Sequence, residues 1–496
     1  MDTVVAFDGA PLLTQVLREH GLTIATPCGG KGICGKCKVR AAGEVSALTA
    51  REMESLSPAE IAGGARLACQ LTLRGDAEIT IPDASDFMNI QLEGTLPEFP
   101  YNPMQGKYGL AVDIGTTTLA LRLINLERRE PLKAATASNP QGSIAADVIG
   151  RIEAAMSGEG PRLRQLVTGE IEKALATLCA DCGIAPSDIE FAIMAGNTTM
   201  LYLLTGRDPV TLSRAPFEAD CLFGLWTDGD ALGLRSIANA KVFLPACASA
   251  YVGADIVCGV LASGMCGRED TALLTDLGTN GEIALWHQGT LYCCATAAGP
   301  AFEGVNIHRG VGSVPGAIDS VWVRGGKLAC TTIGGQTPVG VCGSGLIDAV
   351  ASLLQLGLVD ETGLMELGEV PLCGDVGLTQ KDIRSIQLAK GAIAAGIKTI
   401  CKHVEITESQ IKTLYIAGGF GSHISILNAA KIGLIPGELT GRATVLGNAS
   451  LTGAEMLLLN GEYTQTAADI ARNAVTVPLG GSAAFAEYYM ECMMFE

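Results

Sequence analysis

Short apolar and polar segments alternate over the first part of the chain, and their spacing predicts small elements joined by one long loop. The predicted elements are a strand at VVAF (4–7), a helix at PLLTQVLREHG (11–21), a hairpin at CKVRAAGEV (37–45), a helix at SPAEIA (57–62) and strand-like alternation in CQLTLRGDAEITIP (69–82). Short strands combined with a helix and a long loop predict an α+β domain over residues 1–85.

The pattern changes after this domain. Residues 86–107 hold three prolines without a clear period, and we interpret them as a linker. From Tyr108 onward, apolar strands, glycine-rich turns and alanine-rich helices alternate, which is typical of an α/β fold. One pattern occurs twice, in GLAVDIGTTTLAL (109–121) and ALLTDLGTNGEIAL (272–285), and it predicts two related lobes over residues 108–270 and 271–496.

Composition narrows the class of protein. The chain is 48% hydrophobic and 17% charged, which excludes general disorder. Its formal net charge of -18 disfavours nucleic acid as a partner, because an acidic surface repels phosphate backbones. The first residues lack a basic signal region, and the apolar stretch YVGADIVCGVLASGM (251–265) is too short to span a bilayer. We therefore expect a soluble, cytoplasmic protein without a membrane partner.

Four cysteines form the clearest candidate metal site. Cys28, Cys34 and Cys37 lie in PCGGKGICGKC, and Cys69 follows in RLACQ. Iron–sulfur clusters take thiolate ligands in a similar spacing, and the loop glycines allow backbone N–H groups to point at sulfur. Structural zinc is the alternative, although zinc ligands usually come in close pairs and the fourth cysteine stands alone. The spacing favours a 2Fe–2S cluster.

Three glycine-rich turns predict a nucleotide site. The two repeated segments each place an aspartate at the end of a strand, followed by glycine and hydroxyl side chains that suit phosphate oxygens. Asp113 and Asp276 are the candidate catalytic carboxylates, holding Mg²⁺ through water. A third turn, in TLYIAGGFGSH (413–423), follows a strand and would lie against an adenosine. The candidate ATP-binding residues are Gly115, Thr116, Thr117, Thr118, Gly278, Thr279, Asn280, Gly281, Gly418, Gly419, Phe420 and Gly421.

Each turn alone is weak evidence, since Asp-x-Gly after a strand is an ordinary turn. The ordered set resembles the ATPase superfamily of sugar and acetate kinases, heat-shock chaperones and actin. The cysteine loop resembles that of ferredoxins, which implies a β-grasp fold. Five further segments make the chain similar to the reductive activators of corrinoid-dependent enzymes: AGNTTM (195–200), AGPAFEG (298–304), VCGSGLID (341–348), LAKGAIAAGI (388–397) and IAGGFGSHISILNAAKIGLIP (416–436).

This resemblance implies a β-grasp ferredoxin domain followed by a two-lobed, actin-like ATPase domain. It implies ATP-dependent reduction of an inactive Co(II) corrinoid protein to Co(I), with one electron passing through the 2Fe–2S cluster. The implied partners are a corrinoid protein of a methyltransferase system, an upstream low-potential electron donor and a second copy of the chain in a homodimer. A small-metabolite kinase or a nucleotide-binding redox sensor with a fused ferredoxin domain are the alternative functions. An activator of dehydratases with a 4Fe–4S cluster is a further alternative, although such proteins lack an N-terminal ferredoxin domain.

Several other residues admit both a functional and a structural interpretation. Glu303 is a candidate for orienting water, and the turn from Cys342 to Gly345 is a candidate wall of the nucleotide cleft. We expect Cys342 itself to be a small buried residue. The pair Cys179 and Cys182 suits helix-end packing, and the adjacent Cys293 and Cys294 should face opposite sides of a strand, which favours core positions.

Overall fold

The computed structural model describes residues 4–20, 22, 24, 26, 32, 35, 37–56, 58–81, 96–419 and 424–495. Four candidate site residues, Cys28, Cys34, Phe420 and Gly421, lie outside the described residues, as does the first part of the predicted linker. Among the described helices, none combines the length and the apolar character that crossing a membrane requires.

The N-terminal domain is a small sheet with short helices. Its elements are α1 (Leu13–Glu19), β1 (Lys38–Val45), α2 (Ala50–Ser55), α3 (Pro58–Ala62), β2 (Ala65–Leu67) and β3 (Leu73–Thr80), and the strand order is β2-β1-β3. The predicted helices at α1 and α3 are confirmed. The strand predicted at residues 4–7 is wrong, because among the described residues this segment belongs to no strand.

The hairpin predicted over residues 37–45 is also wrong. The segment forms the single strand β1, which pairs with both β2 and β3. Gly43 has φ +104 and marks a register shift against β3, so it bends the strand without reversing it. A buried ion pair between Arg66 and Glu52 ties β2 to α2, with Nε 2.8 Å from Oε1. Glu52 also accepts the N–H of Leu67, which leads into the strand-to-turn segment that carries Cys69.

The first lobe is built on a six-stranded sheet of order β6-β5-β4-β7-β9-β8. Its elements are β4 (Tyr108–Ile114), β5 (Thr118–Asn125), β6 (Glu130–Ser138), α4 (Val148–Ala154), α5 (Gly160–Cys182), β7 (Ile189–Gly196), α6 (Thr198–Thr205), α7 (Val210–Ser213), β8 (Leu225–Asp228), α8 (Gly229–Leu232), β9 (Lys241–Leu244) and α9 (Ala254–Ser263). Strand β4 is antiparallel to β5 and parallel to β7. Its near-continuous apolar run is buried because helices cover both faces of the sheet.

The second lobe repeats this arrangement with the order β19-β18-β10-β11-β12-β20. Its elements are β10 (Ala272–Leu277), β11 (Gly281–His287), β12 (Thr290–Thr296), β13 (Ala317–Arg324), β14 (Lys327–Thr332), β15 (Gly340–Val341), α10 (Gly343–Gln355), β16 (Glu369–Cys373), β17 (Val376–Thr379), α11 (Gln380–His403), β18 (Thr413–Ala417), α12 (Ile426–Lys431), β19 (Ala443–Gly447), α13 (Ala449–Leu459), α14 (Tyr463–Asn473), β20 (Val475–Thr476) and α15 (Ala483–Cys492). As in the first lobe, β10 is antiparallel to β11 and parallel to β18.

Two helices join the lobes. Apolar residues of α9 and α13 form one buried cluster with residues of β4, β5 and β7. The segment from residue 96 to 107 lies against this cluster, and Asn102 donates its N–H to the carbonyl of Leu459 at 3.0 Å. The end of the predicted linker is therefore attached to the last turn of α13.

Candidate functional site

The two repeated hairpins face each other across the cleft between the lobes. Asp113 is the penultimate residue of β4, and Asp276 is the penultimate residue of β10. Both carboxyls line the cleft and are partly buried, and this burial, followed by the nearby charge of Asp113, raises the pKa of Asp276 to about 7. Asp113 accepts from Ser450 Oγ at 2.7 Å on Oδ1 and from Asn448 Nδ2 at 2.9 Å on Oδ2. The start of α13 therefore orients the first aspartate.

The first phosphate-type loop is tightly wound and supported from behind. Gly115 donates its N–H to Thr118 O at 2.9 Å, and a Cβ on this glycine would lie 2.7 Å from the same oxygen. The carbonyl of Thr116 accepts from the buried guanidinium of Arg151 at 2.6 Å, and the Thr116 hydroxyl accepts from Asn197 at 3.1 Å. Burial lowers the pKa of Arg151 to about 10, so a cation stands behind the loop at neutral pH.

The second loop meets the first through Glu303. Thr117 Oγ1 donates to Glu303 Oε2 at 2.6 Å, and Thr279 Oγ1 donates to Glu303 Oε1. One carboxylate thus joins a hydroxyl from each lobe. Gly278, Thr279 and Asn280 line the cavity between the lobes. Gly281 instead begins β11, where Ile393 and Thr296 occupy the space that a Cβ would fill, so this glycine permits close helix packing.

Four carboxyls crowd the floor of the cleft, since Asp255 and Glu282 join the two aspartates. Burial, followed by the charge of Asp113, raises the pKa of Asp255 to about 8. Burial, with the charges of Asp255 and Asp276, also raises the pKa of Glu282 well above its usual range. Among the described residues, no three of these groups are arranged to chelate a metal ion directly. The floor suits a hydrated cation that phosphate oxygens help to hold.

The third glycine turn lies against the second loop. Gly418 follows β18 with φ +101, and a Cβ at this position would lie 2.5 Å from Leu277 O and 2.8 Å from Asp276 Oδ1. Gly418 and Gly419 both line the cavity. A residue with a side chain could not keep this backbone so close to the loop, so glycine is required here for the approach of the two strands.

On the ferredoxin side, the structure brings together the two described cysteines of the predicted cluster site. Cys37 and Cys69 are both buried, and their side chains hydrogen-bond each other. That contact is the largest of the effects that lower the pKa of Cys69 to about 6, and the backbone N–H of Gly32 contributes further. A pair of adjacent thiols, one favouring the thiolate, with a glycine N–H directed at sulfur, fits an iron–sulfur cluster.

The N-terminal domain and the cleft between the two lobes share one cavity of about 1030 Å³. Its walls include Gly32 and Lys38 near the cysteines, and both aspartate loops on the other side. Arg309 spans the boundary, with Nη1 3.5 Å from Glu60 Oε2, and Glu60 also pairs with Lys38 at 2.5 Å. Glu60 therefore connects Lys38, which follows Cys37, with Arg309 in the segment after Glu303.

The other candidates take structural positions. Cys342 is buried at the start of α10 and contacts the carbonyl of Ile318, as expected for a small packing residue. Cys293 and Cys294 belong to different apolar clusters on the two sides of β12. Cys179 and Cys182 lie in the last turn of α5.

Sequence reasoning missed several residues of the site, namely Arg151, Asn197, Asp255, Glu282, Asn448 and Ser450. Some carried a signal. Asp255 lies in the first turn of a helix whose other residues are nearly all apolar, and a buried turn of this kind is an unusual place for a carboxyl. Asn448 and Ser450 gave none, because polar residues at a helix start are ordinary caps.

Comparison with known proteins gives a consistent picture. A family model described as a 2Fe-2S iron-sulfur cluster binding domain matches residues 2–74, one described as the RACo middle region matches residues 108–268, and one described as the C-terminal ASKHA domain of RACo matches residues 270–496. The order of a ferredoxin-type domain followed by an ATPase domain of the kinase, chaperone and actin superfamily is thereby confirmed.

Relatives that align over most of the chain extend this result. The corrinoid activation enzyme RamQ of Eubacterium limosum is 32% identical over 420 residues, which cover 78% of this chain and 70% of the relative. The Co(II) methylated amine-specific corrinoid protein reductase of Methanosarcina barkeri is 24% identical over 417 residues, covering 77% and 76%. A solved structure of a reductive activator for a corrinoid, iron-sulfur protein has a TM-score of 0.74 at 28% identity, covering 97% of this chain and 95% of that one.

Proposed function

The chain belongs to the family of corrinoid activation enzymes, and we propose that it uses ATP to return an inactive Co(II) corrinoid protein to the Co(I) state. The observation that carries this proposal is the shared cavity. The cysteine-bearing domain and the two aspartate loops line the same space, so an event at the nucleotide can act on the domain that carries the electron.

Four thiolates would hold the 2Fe–2S cluster: those of Cys37 and Cys69, with those of Cys28 and Cys34. When bound, the cluster supplies a single electron at low potential. The protein around it keeps Cys37 and Cys69 buried. The ion pair of Glu52 with Arg66 fixes the strand that leads to Cys69. These contacts restrict solvent access and ligand movement, which are two of the means by which a protein tunes a cluster.

The ATPase lobes would hold the triphosphate between their two hairpin loops. The backbone N–H groups of Thr116, Thr117, Thr118, Gly278, Thr279 and Asn280, with the hydroxyls of Thr116 and Thr118, are the proposed donors to phosphate oxygens. Asp113 and Asp276 would hold Mg²⁺ through water, because they face each other beneath the loops. Gly418 and Gly419, with Phe420 and Gly421, would contact the adenosine.

Energy coupling is the reason for joining these parts. Co(I) is a very strong reductant, and each 100 mV by which a donor falls short costs about 2.3 kcal/mol per electron. A ferredoxin domain alone cannot remove that deficit. Nucleotide binding can, if one conformation of the ATPase binds the corrinoid partner in a form that favours Co(I). Hydrolysis then releases the partner and makes the cycle directional.

The remaining parts of the proposal concern partners. The substrate is a corrinoid protein of a methyltransferase system, and the electron enters from a low-potential donor protein. We propose that the chain acts in the cytoplasm as a homodimer.

The test is spectroscopic and anaerobic. The protein is purified with its cluster, reduced, and mixed with a purified Co(II) corrinoid methyltransferase protein. We expect the absorption band of Co(I) to appear on addition of ATP and Mg²⁺, and not without ATP at the same donor potential. A Cys37→Ser variant is expected to bind nucleotide and yet to form no Co(I). Equal Co(I) formation with and without ATP would contradict the proposal.

A further inference from the structure

The carboxylate of Glu303 accepts a hydrogen bond from a hydroxyl of each of the two phosphate-type loops. Thr117 Oγ1 from the first lobe donates to one oxygen at 2.6 Å, and Thr279 Oγ1 from the second lobe donates to the other. A triphosphate held between the loops therefore has this carboxylate beside it. A negative charge at that place opposes phosphate binding unless it serves the reaction.

The backbone holds Glu303 firmly in this position. The residue ends a single helical turn, Pro300–Glu303, in which Phe302 is only 1% exposed and anchors the turn in the core. Gly304 closes the turn at φ +75, where a Cβ would lie 2.7 Å from Val311 N. Upstream, Gly299 donates its N–H to the carbonyl of Thr279 at 2.9 Å, which ties the turn directly to the second loop.

The other carboxyls of the cleft have different surroundings. Asp113 is held by Ser450 and Asn448 at the start of α13, and together with Asp276 it is a proposed support for Mg²⁺. Asp255 lies beside both aspartates on the floor of the cleft. Glu303 stands between the two loops and is partly exposed to the cavity. A carboxylate can accept about four hydrogen bonds, so the two threonine hydroxyls leave acceptor capacity for a water molecule.

We propose that Glu303 orients the water that attacks the γ-phosphate of ATP and accepts its proton, an inference that rests on the proposed ATP hydrolysis. The water oxygen forms a bond to the γ-phosphorus, and the bond from that phosphorus to the β,γ-bridging oxygen breaks. The proton passes from water to the carboxylate and from there to the released phosphate. ATP and water thus become ADP and phosphate, with no other reactant needed.

The experiment compares three variants with the parent protein, all carrying the cluster. Glu303→Gln keeps the size and one acceptor but cannot accept a proton. We expect its kcat for phosphate release to fall by about 100-fold or more, while KM for ATP stays within about threefold. Binding of the fluorescent analogue mant-ATP should be unchanged or tighter, because a negative charge is removed. Glu54→Gln, on α2 at the ferredoxin side of the same cavity, is the matched control and should retain full turnover.

Glu303→Ala provides a second, independent readout. Added formate can take the place of the missing carboxylate, so we expect it to restore part of the turnover of this variant and none in Glu303→Gln. Full ATP turnover by Glu303→Gln would overturn the proposal. So would a loss of mant-ATP binding as large as the loss of turnover, because Glu303 would then be a binding residue.

These outcomes are distinct from failure of the proposed function. If the parent protein forms Co(I) with ATP while Glu303→Gln hydrolyses ATP normally, the proposed role of Glu303 is refuted and corrinoid activation is not. If phosphate release depends on Glu303 but the parent protein never forms Co(I), corrinoid activation is refuted and the role of Glu303 in ATP hydrolysis is supported.

Discussion

Replacing Gly418 by alanine tests whether the third glycine turn must lie directly against the second loop. The backbone at Gly418 has φ +101, a conformation that side chains other than glycine rarely adopt. An added methyl group would also lie 2.5 Å from Leu277 O and 2.8 Å from Asp276 Oδ1. The neighbouring Gly419 is a matched control, because its φ lies outside this range and no described atom stands within 4 Å of the place that an alanine methyl group would take.

Two contributions determine how much stability the Gly418→Ala variant should lose. A residue with a side chain in a left-handed conformation loses about 1–2 kcal/mol, and forcing a methyl group into a packed site costs about 1–3 kcal/mol. We expect Gly418→Ala to destabilise the second lobe by about 2–5 kcal/mol in total, which corresponds to a Tm of that lobe lower by about 4–20 °C. Part of the strain is relieved if the turn moves away from Asp276, and nucleotide affinity should then fall at least about tenfold.

The assays are differential scanning calorimetry without nucleotide and titration with mant-ATP. Gly419→Ala should keep the Tm of the parent protein, since its methyl group meets no described atom within 4 Å. If Gly418→Ala and Gly419→Ala show the same Tm and the same affinity, the close approach of the turn to the loop has no energetic consequence, and the reasoning is refuted.

Two further predictions concern buried charges. Arg151→Met removes the guanidinium behind Thr116 and takes this donor from the buried carbonyls of Thr116 and Ala145; we expect a loss of about 1–3 kcal/mol in unfolding free energy for each carbonyl and weaker mant-ATP binding, and unchanged values would contradict this. Asp255 has a pKa raised to about 8 from 3.8. The folded state therefore binds more protons than the unfolded state between these values, and nucleotide-free protein in EDTA should lose stability as pH rises through this window. Asp255→Asn should flatten that dependence of Tm on pH, and an unchanged slope would count against it.

The local sequence pattern is sufficient to predict the strands that lead into the three glycine-rich turns. Strands β4, β10 and β18 are all predicted from apolar runs that lead to aspartate or glycine. Such runs are reliable because a strand buried on both faces needs apolar residues throughout, and a sharp turn needs glycine.

The errors come from short segments in the first domain. The alanine–glycine pair in residues 41–43 suggests a reversal, but β1 continues past Gly43 because β3 pairs with it on both sides of the register shift. Residues 4–7 have a strand-like composition, but they pair with no strand in the described part of the chain. The composition of a segment can favour an extended backbone, but a sheet forms only where a neighbouring strand pairs with that segment.

What the amino-acid sequence alone determined is the set of backbone turns and their chemistry: the cysteine loop, the two aspartate loops and the third glycine turn. These are encoded within a few neighbouring residues, because steric limits and hydrogen bonding act locally. Only the tertiary structure decided that Glu303 joins Thr117 to Thr279 and that Arg151 supports the first loop. The contact between Thr117 and Glu303 spans 186 residues and depends on how the sheets of the two lobes are docked, which no local pattern records.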